Sequence, residues 1–558
     1  MGYGWDGYHI LVGPPGTGKT TMLAEIVREI VGRAEAATIQ GESPVLLCSM
    51  TRAARREIES RGLPVHPDAV ATLHAHCWRA QGLPPVISAA DVTEEWNKRH
   101  SEYALTPDGF SRNNIDLDVG RPRKMPGDEF SDLYHLFRHR MIDRGDWSPN
   151  LIEFADKWEE WKGQIGKIDF TDMIDNAPPV PPMNPSVILA DEAQDLSLLE
   201  LKVLGDWGKS AGALICAGDP NQSLYNFRGA QPHYLTPDNA STPGKYRVLR
   251  QSYRVPRQVH AVAMAWIRQV KEYKTEEYRP RNEEGFVNHF HGSLTSLNHA
   301  VDIAEEHTAN NKTVMFAVSC NYMASLIVGR LRSRAVPFSN PWRQKNGMWN
   351  PLGRRRGVTT IDRLDGFLSP IHSGNLWNLT QIKNWTDATR TQGDKTIKPR
   401  AKAAISQVYD SSSAEERSRQ VGFNEMLSWF GPEYTTELMS ACDPPDTKRM
   451  TNWIKPRLLR KFVKPFSYPM TIAEKRGLAA LTEPPKVFVG TCHSFKGAEA
   501  DIVFLFPDLS MAGYDAYQSF GENFNGVIRT FYVGMTRSRE GLYLCRVSSK
   551  WGVRWQGI

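Results

Sequence analysis

Two groups of residues in this 558-residue chain are of the types that handle a polyphosphate. The first is Gly13-Pro14-Pro15-Gly16-Thr17-Gly18-Lys19-Thr20, and the second is Asp191-Glu192-Ala193-Gln194-Asp195. Gly13, Gly16 and Gly18 allow a backbone to curl until its N–H groups converge on phosphate oxygens, with Thr17 inside the loop. Lys19 would reach the β and γ phosphates as a point charge, and the Thr20 hydroxyl, followed by Thr21, would complete the coordination of a magnesium ion. Asp191 would hold that ion through its water shell, while Glu192 would polarise an attacking water. The chemistry such groups could do together is phosphoryl transfer from a metal-bound triphosphate to water. The plainer readings are a glycine-rich turn with a chance lysine, and acids that cap the next helix. Finding both groups in one chain weighs against each.

The loop needs a strand before it and a helix after it, and the sequence supplies both: an apolar run from His9 to Val12 and a helical pattern through Ile30. Val45–Cys48 reads as a second strand. Ala69–Leu73 reads as a third apolar element, with His74 and His76 behind it and no acid or cysteine at metal-ligand spacing. From Trp78 to Lys167 the pattern is helical and polar, broken at Pro84-Pro85, Pro107 and around Gly120 to Gly127. Its basic stretch Arg121-Pro122-Arg123-Lys124 reads as a solvated loop or a nucleic-acid contact. Beyond a proline-rich connection, Val187-Ile188-Leu189 forms a strand that delivers Asp191 at its C-terminal end, where α/β sheets bind their ligands. A further strand, Ala213–Ala217, ends in Gly218-Asp219-Pro220-Asn221-Gln222-Ser223-Leu224-Tyr225-Asn226-Phe227-Arg228-Gly229-Ala230.

The length implies several cores. No run of about 18 apolar residues and no signal-peptide pattern occurs, so the expectation is a cytoplasmic protein without membrane association, in host cytoplasm if phage-encoded. The seven cysteines form no C-x-x-C pair and read as reduced, mostly buried thiols. Net charge is +6, but Pro341 to Ala480 holds 23 Lys and Arg against 13 Asp and Glu, a local +10. That segment is the expected polyanion surface.

The phosphate loop, the Asp-Glu-Ala-Gln-Asp segment and the Gly-Asp-Pro-Asn-Gln-Ser stretch together resemble the superfamily-one DNA helicases of the UvrD/Rep/PcrA group. Three more segments follow in the family's order. Leu249-Arg250-Gln251-Ser252-Tyr253-Arg254 looks like the fourth motif, Thr491-Cys492-His493-Ser494-Phe495-Lys496-Gly497-Ala498-Glu499 like the fifth, and Arg529 to Arg537 like the sixth. The resemblance implies an α/β fold of two RecA-like, parallel-sheet cores, each with an inserted, mainly helical accessory domain. The first core would comprise residues 1–77 and 168–244, interrupted by a helical subdomain at 78–167. The second would comprise 245–339 and 484–558, interrupted by the basic segment 340–483. In that segment Trp453-Ile454-Lys455-Pro456-Arg457 and Arg460-Lys461-Phe462 interleave aromatics with cations, which suits duplex backbone contact or a solvated basic face equally.

The resemblance also assigns roles. Gln222 is similar to the family's γ-phosphate sensor, and Arg254 and Arg537 look like arginine fingers. Tyr253 matches the residue that stacks on adenine and Glu499 one that contacts the ribose, and Gly497 beside it is also expected at the ATP site. Relatives read the base with an upstream glutamine; Met1 to Tyr8 contain none, so base recognition is expected to be relaxed or supplied by another group. On the DNA side, Thr51, Tyr225, Phe227, Arg228, Thr491 and His493 match strand-contacting positions, and Met50 stands near a position where relatives stack a phenylalanine. The implied activity is ATP- and Mg²⁺-dependent translocation 3′ to 5′ on single-stranded DNA with duplex unwinding at single-strand/duplex junctions, with room for a loading or accessory protein. Rival expectations are the opposite polarity, an RNA helicase, or a strand-stimulated ATPase that remodels a nucleoprotein partner without unwinding.

Overall fold

A computed structural model describes residues 6–33, 42–49, 62–107, 125–236, 245–271, 277–344, 346–353, 357–373, 376–391, 399–443 and 446–555. Met50, Thr51 and the Arg121–Lys124 stretch lie outside them. The fold is α/β, built on two six-stranded parallel sheets of RecA-like type. The first contains β1 (Gly7–Val12), β2 (Val45–Ser49), β3 (Val70–Thr72), β4 (Val187–Asp191), β5 (Ala213–Gly218) and β6 (Tyr246–Val248), in the order β3-β2-β4-β5-β1-β6.

Both faces of this sheet are covered, which is why its strands read as continuous apolar runs. Side chains alternate between faces with period two. Ile10, Val12, Leu46, Cys48, Ile188, Ala190, Leu214 and Cys216 enter one core cluster with Leu73, Cys77, Leu204 and Trp207. Leu11, Leu47, Leu189, Ile215 and Ala217 enter another with Leu23, Ile26 and Val27 of the helix Lys19–Arg33. Burying an aliphatic side chain of this size stabilises by about 1.5–3 kcal/mol, so these layers fix the strand ends firmly. The register pairs Val12 with Gly218 and Ser49 with Asp191, setting the phosphate loop, the Asp191 segment and the Gly218-Asp219 stretch at the C-terminal ends of the strands.

The expected third apolar element divides. β3 stops at Thr72, whose side chain accepts from the Ala75 N–H and caps a helix, Leu73–Ala80. The helices that follow close around an aromatic cluster of Trp96, Tyr134, Phe154, Trp158 and Trp161. Beside it the buried Lys162 ammonium donates to Asp169 at 2.8 Å and Asp172 at 2.5 Å, so burial of these charges is compensated in place.

The second sheet contains β7 (Phe286–His289), β8 (Val314–Val318), β9 (Phe338–Ser339), β10 (Val487–Thr491), β11 (Ala500–Leu505) and β12 (Ser538–Leu544), in the order β7-β12-β11-β8-β10-β9. The chain forms two compact units, Met1–Thr295 with Ala317–Ala324 and Gly490–Ile558, and Ser296–Phe316 with Ser325–Val489. All the residues of the candidate nucleotide site fall in the first unit. Six of the seven cysteines are buried and Cys320 is half-buried; all are free thiols. Among the described residues no helix is long and apolar enough to cross a membrane.

Candidate nucleotide and strand site

The phosphate loop turns through Gly16 and Gly18, at φ of +73° and +82°, conformations that favour glycine. A Cβ on Gly16 would fall 2.5 Å from Arg254 Cβ and 2.8 Å from Ser252 Oγ, so no side chain fits there. The loop is braced from outside: Ser252 Oγ and Tyr278 OH donate to Pro15 O at 2.9 and 2.8 Å, and Tyr253 N donates to Gly16 O at 2.8 Å. That backbone bond stations the Tyr253 ring beside the loop with 74% of the residue exposed. Within the loop, Thr17 Oγ1 donates to Pro14 O at 2.8 Å and Lys19 Nζ to Gly13 O at 2.6 Å. Thr20 and Thr21 follow in the first turn of the helix.

Thr20 Oγ1 donates to Asp191 Oδ2 at 3.2 Å, joining the two sequence groups. Glu192 takes a left-handed conformation, φ +57°, and its N–H donates to Asp191 Oδ1 at 2.9 Å. Gln194 Nε2 donates to Glu192 Oε2, and Lys496 Nζ lies 3.3 Å from the same oxygen. Burial raises the Glu192 carboxyl, but the Lys496 and Lys19 charges outweigh it and hold the group down at about 2. Glu192 is therefore an ionised acceptor at neutral pH.

Gln222 sits buried with its two ends engaged: Nε2 donates to Asp219 Oδ2 at 2.8 Å, and Oε1 accepts from Arg537 Nη2 at 2.9 Å. Arg537 also donates to Val533 O at 2.9 Å and Ala498 O at 3.3 Å. Burial and the neighbouring Arg254 charge lower its guanidinium to about 9, which leaves it charged at neutral pH. Arg254 Nε donates to Glu499 Oε2 at 2.9 Å, and Arg539 reaches Glu499 Oε1 at 3.2 Å. Gly497, at φ +79°, turns the chain between Lys496 and Glu499.

This arrangement fits a triphosphate with a divalent cation. Thr20 and Asp191 present oxygen donors of the kind a hard cation takes. Lys19, Arg254 and Arg537 gather cationic groups at one place, and the Arg254 charge opposes that of Arg537, a repulsion that a bound polyanion would relieve.

Next to it lie the residues matched to strand contact. Phe227 is 52% exposed, whereas Tyr225 is only 4% exposed, with its ring centroid 6.0 Å from Phe227 and 6.2 Å from His493. Thr491, at the end of β10, is buried and its Oγ1 accepts from Ser494 N at 3.1 Å. Arg228 is half-buried on the short turn Asn226–Arg228, and its charge acts on Glu200, His74 and His139.

Lys496 is the residue that the sequence reading did not single out. Its buried ammonium donates to Asp195 and, at 3.1 Å, to Gln222 O, and it lies 5.8 Å from the Tyr225 ring centroid. The signal was a cation inside the fifth motif-like segment, but only the fold shows which acids it faces.

The family comparisons match the same two stretches. A family model described as an AAA domain matches residues 6–228, and a model of the UvrD-like helicase C-terminal domain matches residues 486–545. No curated protein matches the chain.

Proposed function

Because the chain belongs to the UvrD/Rep-like superfamily-one helicases, and is therefore an ATP-hydrolysing, DNA-binding enzyme, we propose that it moves 3′ to 5′ along single-stranded DNA and unwinds the duplex ahead of it. The observation that carries this reading is the bond from Arg537, in the helicase C-terminal match, to Gln222, in the AAA match. Each matched segment thus supplies one residue of this bond, beside Asp219 after the end of β5. We assign residues 1–77 and 168–244 to the first motor core and 245–339 and 484–558 to the second.

In this reading the loop N–H groups and Lys19 bind the β and γ phosphates of ATP. Thr20 and Asp191 would hold Mg²⁺, which supplies charge neutralisation on the phosphate oxygens. Glu192, kept ionised by Lys496 and Lys19, orients and polarises the attacking water. Arg254 and Arg537 stabilise charge developing on the γ-phosphoryl oxygens, a contribution of about 10³–10⁵ in rate for an arginine finger. Gln222 shares a bond with Arg537 and lies five residues before Phe227, so a change at the phosphate has a short path to the strand side. Tyr253 offers an exposed ring for the adenine, and Glu499, with Gly497 beside it, takes the ribose side of the nucleotide in this reading. The exposed Phe227 stacks on a base, which is sequence-tolerant and suits stepping along any strand. Tyr225, His493, Thr491 and Arg228 support that platform, and single-strand/duplex junctions are the natural substrate.

The test is strand displacement with ATP and magnesium on matched duplexes carrying a 3′ or a 5′ single-stranded tail. Opening of the 3′-tailed duplex alone supports the reading, and opening of the 5′-tailed duplex alone overturns the polarity. Failure of both, with single strands still stimulating hydrolysis, makes the protein a translocase or remodeller. Lys19→Ala is expected to abolish hydrolysis while strand binding persists; retained turnover would overturn the nucleotide-site assignment.

A further inference from the structure

Tyr532 lies on the helix Glu522–Met535 and is wholly buried, yet its hydroxyl has no hydrogen-bond partner among the described residues. Buried hydroxyls are nearly always bonded, because an unmade bond forfeits the solvation the group had in water. For packing alone, a phenylalanine ring would serve as well. The helix packs against the short turn Pro220–Gln222, and the groups that act on the Tyr532 hydroxyl are, in order of strength, Asp219, Tyr278 and Arg537. Burial and the Asp219 charge hold the phenol well above its usual pKa, so at neutral pH it is a proton donor. Tyr278 already donates to Pro15 O at 2.8 Å, and a guanidinium offers no acceptor. Asp219 is the acceptor that is left.

The Asp219 carboxylate is itself buried and is held by two donors: Oδ1 accepts from Asn221 N at 3.0 Å, and Oδ2 accepts from Gln222 Nε2 at 2.8 Å. Burial raises this carboxyl, and the Lys19 charge and the two bonds oppose the rise. The Gln222 amide nitrogen is also the group that a γ-phosphate sensor gives to a phosphoryl oxygen, since phosphate oxygens accept and only that end of the amide donates. Turning it away from Asp219 would strand a buried carboxylate oxygen, which is costly for a charged group.

We infer that Tyr532 is a positioning residue that relieves Gln222: when the amide turns to the γ-phosphate, the Tyr532 hydroxyl donates to Asp219 Oδ2 in its place. This rests on the reading of Gln222 as the γ-phosphate sensor of an ATP-driven motor. Asp219 then keeps its donors in both states, and the hydroxyl bond unmade in one state is made in the other. Only an interaction that differs between two states shifts the balance between them. The exchange therefore favours ATP over ADP, which has no γ-phosphate to draw the amide away.

The test measures the affinity of the full-length protein for a non-hydrolysable β,γ-imido ATP analogue and for ADP, each with magnesium, in wild type and Tyr532→Phe. The variant loses a bond to a charged acceptor in the analogue-bound state alone. Analogue affinity is expected to fall about 10- to 150-fold while ADP affinity stays the same. The thermal midpoint of the free variant is expected to equal or exceed that of wild type, because an unbonded buried hydroxyl is gone. Equal losses for both nucleotides, or a lowered midpoint, would make Tyr532 a packing residue and overturn the exchange. Unchanged analogue affinity overturns it as well, since one amide then serves both acceptors. In Gln222→Ala, Tyr532 is expected to donate to Asp219 with or without nucleotide. Adding Tyr532→Phe there should lower the midpoint and leave the ratio of analogue to ADP affinity as it was; an analogue-specific loss as large as in the wild-type background overturns the coupling. Wild-type protein that binds neither nucleotide overturns the motor reading, and the exchange with it.

Discussion

The Arg537 guanidinium donates to the side-chain oxygen of Gln222 at 2.9 Å, while the same amide's nitrogen donates to Asp219 at 2.8 Å. One glutamine therefore connects an acid after β5 with an arginine just before β12. In Arg537→Lys the charge survives but the fork that spans Gln222, Val533 O and Ala498 O does not. Turnover is expected to fall about 10³-fold or more, with a far smaller change in the KM for ATP, because a finger acts on the transition state. Steady-state hydrolysis at saturating single strand measures both; a KM rise with unchanged kcat would make Arg537 a ground-state contact only.

Lys496 neutralises Asp195 and stands 3.3 Å from Glu192; the Asp195 and Lys496 side chains are buried and Glu192 is half-buried. Lys496→Met would leave the buried Asp195 and the half-buried Glu192 without their cation, and breaking the buried pair costs about 3–5 kcal/mol. A lower thermal midpoint and at least tenfold slower hydrolysis are expected. Adding Asp195→Asn should recover part of the stability but not the rate, because Glu192 still lacks its partner. Additive losses in the double variant would deny the coupling.

Phe227 exposes half of its surface beside the buried Tyr225. Phe227→Ala is expected to weaken single-strand binding by about 5- to 150-fold, the equivalent of 1–3 kcal/mol of stacking. The salt slope should stay the same, since no phosphate contact is lost. A changed slope would mean that the ring positions a cation instead of stacking.

The phosphate loop and both acidic segments are legible in the sequence because their spacing is local and their strands carry uninterrupted apolar runs. The strand ends Val12 and Asp191 follow from the same pattern. What is not legible is contact at long range. Nothing in the spacing says that Lys496 meets Asp195 three hundred residues away, or that Arg363 and Lys461 share one ring. Nor does composition separate Trp453, which packs inside, from Phe227, which does not. Tyr225 and Phe227, two residues apart, look equivalent as aromatics near a motif, yet around the turn Asn226–Arg228 one is buried and the other is exposed.

His139, at the end of the helix Asp128–His139, is buried against the first core: its Nδ1 lies 2.9 Å from Ser197 Oγ, which caps the helix Leu198–Ala211. Its Nε2 is 3.4 Å from Thr171 Oγ1. Burial is the main reason its pKa falls from 6.5 to about 4, with Glu200 opposing and Arg228 adding to the fall. Protonation then favours the unfolded chain. The contribution is intact above pH 6.5 and is lost progressively as pH drops from 6.5 towards 4, by about 2.5 kcal/mol at pH 4.5. Urea unfolding of wild type and His139→Gln at pH 7.5, 5.5 and 4.5 measures it. The wild type should lose more stability than the variant across that range, and parallel losses would show that His139 is not the group that charges. Because His139 bonds Ser197, two residues after Asp195, acid should loosen the helical insertion and the acidic segment together, so hydrolysis at pH 5.5 is expected to fall less in the variant than in the wild type, each taken relative to its own rate at pH 7.5.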